Sequence, residues 1–295
     1  MNPSTPLKLA QVTTASQTLG FFAEHIDYLK KKGFEIHLLS SPGEMGIRLA
    51  TEKGVAFHPV PLTRTITPAA DVHSLIALRK IFRQIRPDIV HSHTPKAGLL
   101  GTIAARMAGI PVVFLSLFGL PQMTLRGGKR LLLDTLTRTS CHLAHRVWVD
   151  SPSMREYVIK NRLCPAAKAV TIGNGSVNGV DAEKVFSPEK RRNGDRNKIR
   201  NQLGIPRGDL VLGYAGRIVH DKGMHELAMA WKELKGSYPG LRMLLVGAED
   251  EKDPIFLEDR ILFASDPKIH MSGFTTDVAT YMAAMDIYIM PSYRE

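Results

Sequence analysis

Short runs of β-branched residues alternate with longer segments of helical periodicity along this chain, and that alternation restricts the folds it can adopt. Residues 34–39 and 112–115 have the composition of buried strands, whereas residues 73–86 and 129–144 place apolar side chains at helical spacing. A strand, a helix and a second strand in succession form a right-handed crossover between parallel strands. The pattern therefore predicts an α/β fold in which helices cover both faces of parallel sheets.

The alternation is interrupted in the middle of the chain. Residues 173–179 are Gly-Asn-Gly-Ser-Val-Asn-Gly, and residues 187–208 form a basic stretch punctuated by glycine and proline. We interpret the first as a hinge and the second as a solvent-exposed surface segment. A new alternation starts at Leu210. The sequence thus predicts two Rossmann-like domains, 1–185 and 186–295, that face a cleft at the carboxyl ends of their strands.

Charge is distributed unevenly between the two predicted domains. The 295 residues carry a formal net charge of +11, and all of this excess lies in residues 1–185. One-sided positive charge attracts anionic partners, such as nucleic acid, an anionic lipid surface or phosphorylated substrates, with surplus charge for solubility as the alternative.

Cysteine usage and hydropathy indicate the compartment. The two cysteines have neither disulfide-framework nor CxxC spacing, which suits a reducing cytosol. The N-terminus lacks a basic segment followed by an apolar one, so we expect no secretory signal. The longest apolar stretch, 112–120, is about half of the ~20 residues that a membrane helix needs. These features predict a soluble cytoplasmic protein.

Residues 213–223, Gly-Tyr-Ala-Gly-Arg-Ile-Val-His-Asp-Lys-Gly, form the strongest local signal. A predicted strand ends in a glycine turn, Arg217 and Lys222 follow, and a helix opens at Gly223. The N-terminus of a helix offers unpaired N–H groups and a positive dipole end, and the two cations can add charge-assisted hydrogen bonds to a diphosphate. The alternative is a surface turn with two solvated cations. A Walker A loop is excluded, because Lys222 precedes the glycine and no Ser or Thr comes directly after it.

The segment 91–96, His-Ser-His-Thr-Pro-Lys, lies between a predicted strand and a predicted helix. Its two histidines share a strand face, but no neighbouring Asp, Glu or Cys completes a set of metal ligands. Two interpretations stay open: either His93, Thr94 and Lys96 line the cleft and meet substrate phosphates, or Thr94 caps a helix beside packed histidines. The chain has no Asp-x-Asp pair, so we expect no carboxylate-held metal at a leaving diphosphate.

The predicted helix 129–144 combines basic residues with leucines at positions 131, 132, 133 and 136. A basic amphipathic surface can rest on anionic lipid. The alternative is a leucine face that packs on its own sheet.

Five short motifs occur in an order and at a spacing that resemble a known family. They are, in chain order, residues 178–181 (Asn-Gly-Val-Asp), 216–223 (Gly-Arg-x4-Lys-Gly), 246–247 (Val-Gly), 272–274 (Ser-Gly-Phe) and 286–295 (Asp-x3-Met-Pro-Ser-x2-Glu). Together they resemble glycosyltransferase family 4, of GT-B fold, over essentially the whole chain. Residues 32–37, 91–98 and 119–121 are similar to the branch that builds bacterial surface polysaccharides.

The resemblance implies a role for each matching residue. The implied catalytic residues are Glu295, which would touch the donor sugar, and Arg217 and Lys222, which would hold the donor diphosphate. The implied donor-binding residues are Gly216, Arg217, Lys222, Gly247, Gly273 and Phe274. The implied acceptor-side residues are Ser16, Gln17, Gly20, His93, Thr94 and Lys96. An acid at the sugar can orient hydroxyls and balance oxocarbenium-like charge, while the cations stabilise the departing diphosphate.

By the same resemblance the chain is expected to be a retaining, metal-independent transferase without a cofactor. It would move a sugar from a nucleotide-diphosphate sugar, UDP in the first instance, to a lipid-linked saccharide in cell-surface polysaccharide synthesis. We expect peripheral contact with anionic membrane at its inner face, and no nucleic-acid partner.

The chain also departs from the family pattern at two points. Phe118 stands where the family often has histidine, and family members continue beyond the position of Glu295, so we expect a truncated second domain. The alternative function is therefore a catalytically impaired relative that acts as a binding or partner protein.

Overall fold

The computed structural model describes residues 6–187, 189, 194–251 and 253–293. Within these ranges the chain forms two compact units, of which the first ends at Gly179 and the second begins at Val180. The division thus falls at the end of the glycine-rich segment, before the predicted boundary at residue 185. Each unit holds its own parallel sheet, as the alternation of elements predicts.

The first unit is built on a seven-stranded parallel sheet. Its strands are β1 (Leu7–Val12), β2 (Phe34–Ser40), β3 (Ala56–Pro59), β4 (Ile89–His93), β5 (Val112–Leu117), β6 (Arg146–Val149) and β7 (Ala169–Val170). Their order in the sheet is β3-β2-β1-β4-β5-β6-β7. The order reverses between β1 and β4, and in such sheets the crevice at the carboxyl ends of the strands beside the reversal is where ligands bind.

Helices cover the sheet of the first unit. They are α1 (Ala23–Lys31), α2 (Glu44–Lys53), α3 (Pro68–Ile85), α4 (Pro95–Ala108), α5 (Gly127–Leu143) and α6 (Pro152–Lys160), and a 3₁₀ helix, Ser16–Phe22, precedes α1. One apolar core joins α3 and α4 to β1, β4 and β5 around Leu78, Phe82 and Val90. A second core joins α1 and α2 to β1 and β2 around Ile26 and Leu38.

The second unit has a four-stranded parallel sheet. Its strands are β8 (Leu210–Ala215), β9 (Leu241–Val246), β10 (Ile269–Met271) and β11 (Ile287–Tyr288), in the order β10-β9-β8-β11, and its helices are α7 (Gly194–Gln202), α8 (Met224–Ser237), α9 (Leu257–Ser265) and α10 (Val278–Ala283). Strand β9 is apolar and buried over its last four residues, as a central parallel strand with two covered faces must be. Trp231, Tyr214 and Phe263 are buried in the core of this unit.

The basic stretch 187–208 is not a continuous surface segment, which corrects the prediction made from its charge. Helix α7 lies within it, packs against α10 and buries Ile199 and Arg200. The periodicity of this helix is hard to see in the sequence, because nearly all of its other residues are charged or polar. Residues 188 and 190–193 of the stretch lie outside the described residues.

Three acceptors from two other segments explain the burial of Arg200. Its guanidinium donates to the carbonyl oxygens of Ala284 (3.0 Å) and Asp209 (2.9 Å) and to Asp286 Oδ2 (2.6 Å). Asp286 Oδ2 also accepts from the Val211 N–H (2.8 Å). These bonds tie α7 to the start of β8 and to the segment before β11, so a residue that the sequence places on the surface holds this unit together.

No helix within the described ranges combines the length and the apolar character that crossing a membrane requires.

Candidate functional site

Three loops of the second unit form one rim at the carboxyl edge of its sheet. The Gly216 N–H donates to Val246 O (2.9 Å), and the Gly247 N–H donates to Gly273 O (3.1 Å). These bonds join the loops that follow β8, β9 and β10. The rim therefore lies where a ligand of a parallel α/β sheet is expected.

Close approach of two of these loops requires a glycine at position 247. A Cβ atom on Gly247 would lie 1.8 Å from Gly216 O, and the residue has a φ of +142°. A Cβ on Gly216 would lie 2.6 Å from the Tyr214 hydroxyl oxygen. The atom nearest to a Cβ on Gly247 is a backbone carbonyl oxygen, which cannot move aside as a side-chain end can, so this glycine lets the two loops meet.

A cavity of about 710 Å³ opens at this rim. Gly216, Arg217, Gly247 and Phe274 line it, and Gly273 is bonded directly to one of them. The structure thus brings together five of the residues that the sequence predicts at the donor. The Phe274 side chain is 81% exposed and offers a free aromatic face to a ligand.

Two carboxylates at this cavity are paired with arginines of the same unit. Arg217 Nη1 lies 3.1 Å from Asp250 Oδ2, and Arg260 Nε donates to Glu249 Oε2 (2.9 Å). Arg217 remains 57% exposed, so its guanidinium can exchange the carboxylate for phosphate oxygens. The carboxylates beside it, including Glu251, can accept hydrogen bonds from hydroxyl groups of a ligand. These acids were not predicted, although the first of them comes two residues after the Val-Gly motif.

Lys222 lies on the neighbouring turn and is not among the residues that line the cavity. It ends a short 3₁₀ helix, His220–Lys222, and Gly223 follows at a φ of +71° before α8 begins at Met224, as the sequence predicts. A Cβ on Gly223 would lie 2.2 Å from Pro291 O, so the chain after β11 lies against this turn. Since the strand order reverses at β8, this turn is at the reversal point of the second sheet.

Glu295, the predicted contact to the donor sugar, lies outside the described residues. Its role therefore stays a prediction. The last described residue, Tyr293, donates its N–H to Asp221 O (3.1 Å), on the turn that carries Lys222.

Two threonines meet at the reversal point of the first sheet. The Thr14 N–H donates to Thr94 Oγ1 (3.2 Å), and the two hydroxyl oxygens lie 2.7 Å apart. Thr94 has a φ of +68° and a ψ of 152°, a conformation that is costly for a β-branched residue. Strain of this kind persists where surrounding contacts enforce it, often at functional sites.

The N-terminus of α4 is not capped by Thr94, which corrects the sequence interpretation. The Thr94 side chain makes no capping bond, and the Ala97 N–H donates to Thr14 Oγ1 (3.2 Å). Pro95 does occupy the first turn as predicted. A residue 80 positions earlier in the chain therefore completes the helix start, because β1 and β4 are neighbours.

The other predicted acceptor-side residues divide into exposed and buried groups. Ser16 Oγ is buried and bonded to Gly43 O (3.1 Å) and to the Gly46 N–H (2.8 Å), so it fixes the 3₁₀ helix to α2. Gln17 is exposed on this 3₁₀ helix, and Gly20 is half-buried there. Of these three, Gln17 has the side chain most open to a ligand.

Lys96 is paired inside the unit. Its Nζ lies 2.5 Å from Asp71 Oδ1 on α3, and both side chains are largely buried. Burial alone raises the pKa of Asp71, but hydrogen bonds from Lys96 and Thr67 outweigh it and hold that pKa below its usual value. The Lys96 charge is thus neutralised by Asp71, which disfavours the predicted contact with substrate phosphates.

A second cavity, of about 520 Å³, crosses the sheet face of the first unit and was not predicted from the sequence. His93 is 1% exposed at its wall, where its Nε2 lies 3.1 Å from Gln11 Oε1 and its ring stacks on Phe118. Burial, together with His25, lowers the pKa of His91 to about 3, so that ring is neutral. His93 is thus packed among aromatic rings, as one of the two interpretations left open has it, but it also lines this cavity, and its contact with an acceptor stays a prediction.

Most of the other residues in the wall of this cavity are aromatic or aliphatic. The wall also contains one carboxylate, that of Asp150. Burial raises the pKa of Asp150, against the opposing hydrogen bond from the Gly119 N–H (3.2 Å). The sequence feature that could have indicated this cavity is the alternation of residues along β4, β5 and β6, because every second side chain of a strand points to the same face of the sheet.

Comparison with known proteins identifies the family of this chain. Residues 21–175 match the family described as glycosyl transferase 4-like domain, and residues 195–295 match glycosyl transferases group 1. Together with two Rossmann-like units, these matches define a glycosyltransferase of GT-B fold. The first match spans more than half of the chain, which therefore belongs to the glycosyl transferase 4-like family.

Three similar proteins illustrate the relationship. The capsular polysaccharide biosynthesis glycosyltransferase CapM of Staphylococcus aureus is 28% identical over 288 residues, which are 98% of this chain and 73% of CapM. An Escherichia coli UDP-Gal:alpha-D-GlcNAc-diphosphoundecaprenol alpha-1,3-galactosyltransferase is 26% identical over 275 residues, 92% of this chain and 69% of that enzyme. The crystal structure of Anabaena HepE in complex with UDP and glucose has a TM-score of 0.70 at 20% identity, over 97% of this chain and 74% of HepE.

Proposed function

We propose that this chain transfers a sugar from a nucleotide-diphosphate sugar, with UDP as the nucleotide, to a lipid-linked saccharide in cell-surface polysaccharide synthesis. The supporting observation is the cavity of the second unit, which opens at the carboxyl edge of a parallel sheet with Arg217 at its rim. A similar protein, HepE, binds UDP and glucose, and the E. coli relative is named for a UDP-sugar donor and a diphosphoundecaprenol-linked acceptor.

In this proposal Arg217 stabilises the negative charge that develops on the leaving diphosphate. Lys222 supplies a second cation from the reversal point of the same sheet, and the N-terminus of α8 adds its positive dipole end. No metal is needed at the diphosphate if these groups balance its charge, in keeping with the lack of an Asp-x-Asp pair. Glu295 is the proposed contact to the donor sugar, and the transfer proceeds with retention of configuration. On the acceptor side, the strained Thr94 and its partner Thr14 are the proposed contacts.

Arg217→Ala is expected to weaken UDP binding by about tenfold to hundredfold. The variant loses charge-assisted hydrogen bonds worth about 1.5–3 kcal/mol. Thermal stabilisation of the chain by increasing UDP concentrations measures the change.

Arg207→Ala is the matched control for this experiment. Arg207 is exposed and lies before the amino end of β8, at the opposite edge of the sheet from Arg217. UDP stabilisation should be unchanged in this variant. Failure of millimolar UDP to stabilise the parent chain, or equal effects of the two variants, would contradict the proposed donor site.

Membrane contact is proposed through the first half of α5. Leu131 and Leu132 are 67% and 49% exposed there, beside exposed Arg126 and Lys129. An apolar pair flanked by cations is suited to the surface of an anionic bilayer. This position fits access to an acceptor that is held in the membrane by its lipid.

Double replacement of Leu131 and Leu132 by glutamine is expected to reduce co-sedimentation with phosphatidylglycerol vesicles about tenfold or more, since each buried leucine contributes about 1.5 kcal/mol or more. The control is the same double replacement of Val72 and Ile76 on α3, which are 56% and 61% exposed. Binding that is equal for neutral vesicles, or equally reduced in both variants, would rule out this docking surface.

A further inference from the structure

Three groups that can bind a metal ion meet on the second unit, away from the donor cavity. They are His225, Glu258 and Asp259, and one ligand atom from each lies within 4.8 Å of the others. None of the three lines the donor cavity. The proposed transfer reaction therefore leaves this cluster without a role.

Asp259 provides an independent indication that a cation belongs here. Its side chain is 0% exposed, and its Oδ2 lies 2.9 Å from His225 Nδ1. Its other oxygen, Oδ1, is buried without a hydrogen-bond partner among the described residues. A buried carboxylate with an unpartnered oxygen is costly, and a bound cation removes that cost by accepting its lone pair.

The chemistry of the three groups selects the class of ion. A metal ion binds imidazole through an unprotonated nitrogen, so one imidazole and two carboxylates would bring two negative charges to a bound ion, which a divalent cation balances. Nitrogen and carboxylate oxygen together are typical ligands of Zn²⁺ and related transition metals, whereas Ca²⁺ and Mg²⁺ prefer oxygen alone. Glu258 is exposed and His225 is partly exposed, so the site is open to an ion and to water as a further ligand.

A neighbouring cluster, His220, Asp221 and Asp253, has similar spacing but is a weaker candidate. Asp253 Oδ2 already accepts the Asp221 N–H (3.0 Å). The ring of Phe256 contacts both His220 and His225 edge-on, at 5.3 and 5.0 Å between centroids, and separates the two clusters.

We propose that His225, Glu258 and Asp259 form a structural site for a divalent transition metal, with Zn²⁺ as its best-suited ion. His225 is the second residue of α8, and the two acids lie in the first turn of α9, so the ion would fasten the starts of two helices to each other. The start of α8 directly follows the turn that carries Lys222. The ion would therefore hold that turn in place without contacting the donor.

Calorimetric titration of the EDTA-treated full chain with zinc chloride tests the proposal. We expect one ion per chain and a higher midpoint of thermal unfolding on binding. Glu258→Gln, which changes an exposed side chain and should fold normally, is expected to weaken zinc binding about tenfold or more, and His225→Ala is expected to do the same.

His220→Ala is the matched control, because it removes the other histidine that contacts Phe256. If zinc affinity is unchanged in His220→Ala and lower in His225→Ala, the ion is assigned to the proposed site. The reverse result would place it on the neighbouring cluster, and affinity unchanged in all three variants would mean surface binding only; either outcome overturns the proposal. Stabilisation by UDP, measured on the same metal-free samples, reports on the proposed transferase function separately.

Discussion

Gly247→Ala is expected to lower the stability of the second unit by about 3 kcal/mol and to abolish measurable UDP binding. The added methyl group would lie 1.8 Å from Gly216 O, and a backbone carbonyl in a hydrogen-bonded loop cannot move aside as a side-chain end can. The two loops must then separate, which breaks the rim from which Arg217 reaches the cavity.

Gly273→Ala is the control for this prediction. Gly273 also has a positive φ, +67°, but a Cβ there would meet no atom of the described residues within 4 Å. Only the backbone strain of about 1–2 kcal/mol is expected. Urea unfolding followed by the emission of Trp231, in a Trp148→Phe background, isolates the second unit, because these are the only two tryptophans. Equal stability losses in the two glycine variants would contradict the close approach of the loops.

Asp286→Ala is expected to destabilise the second unit by about 3 kcal/mol, because it leaves the buried guanidinium of Arg200 without its carboxylate. Arg200 is 4% exposed, and its Nη2 lies 2.6 Å from Asp286 Oδ2. The variant also removes the acceptor of the Val211 N–H at the start of β8. The same measurement of Trp231 emission in urea reports the loss.

Arg196→Ala provides the comparison within the same network. Arg196 contacts the other carboxylate oxygen of Asp286 at 2.5 Å, but its side chain is 28% exposed. Water can replace much of this interaction, so a loss of about 1 kcal/mol or less is expected. A larger effect of Arg196→Ala than of Asp286→Ala would show that the buried arginine is not the element that holds α7.

The Asp286 carboxylate is also expected to make the stability of the second unit depend on pH. Burial raises the pKa of Asp286, but hydrogen bonds from Val211, Arg196 and Arg200 outweigh it and hold the pKa below its usual value. The unfolded chain therefore binds a proton at higher pH than the folded one. The stabilisation is complete above the unfolded pKa of about 3.9 and is lost as pH falls through the lower folded value. Asp286→Ala should accordingly reduce the dependence of stability on pH in this acidic range.

Much of the fold could be predicted because parallel strands with covered faces have a distinctive composition. The predicted strands 34–39 and 112–115 lie within β2 and β5 of the structure and start at the same residues. β3 (Ala56–Pro59) was missed, because this four-residue edge strand is only partly buried and is held by pairing with β2. Helix α2 (Glu44–Lys53) was missed as well.

The candidate site was predicted as a set of residues but not as an arrangement. The glycine and arginine motifs pointed to Gly216, Arg217 and Gly247, and these residues do line one cavity. The pairing of Lys96 could not be predicted from the sequence. Its partner Asp71 lies 25 residues away and contacts it only when α3 packs beside α4. A charge that looks available in a sequence can thus be neutralised by the fold.

The sequence by itself determined the class of fold, the presence of two parallel sheets and the loops on which a ligand should bind, because these follow from local composition and from the connectivity of strand and helix. Only the tertiary structure decided which polar groups are satisfied inside the protein. Arg200 is buried, Thr14 rather than Thr94 caps α4, and one oxygen of Asp259 has no hydrogen-bond partner in the described part of the chain. Such outcomes depend on hydrogen-bond partners from distant segments, whose positions are set only when the sheets and helices pack.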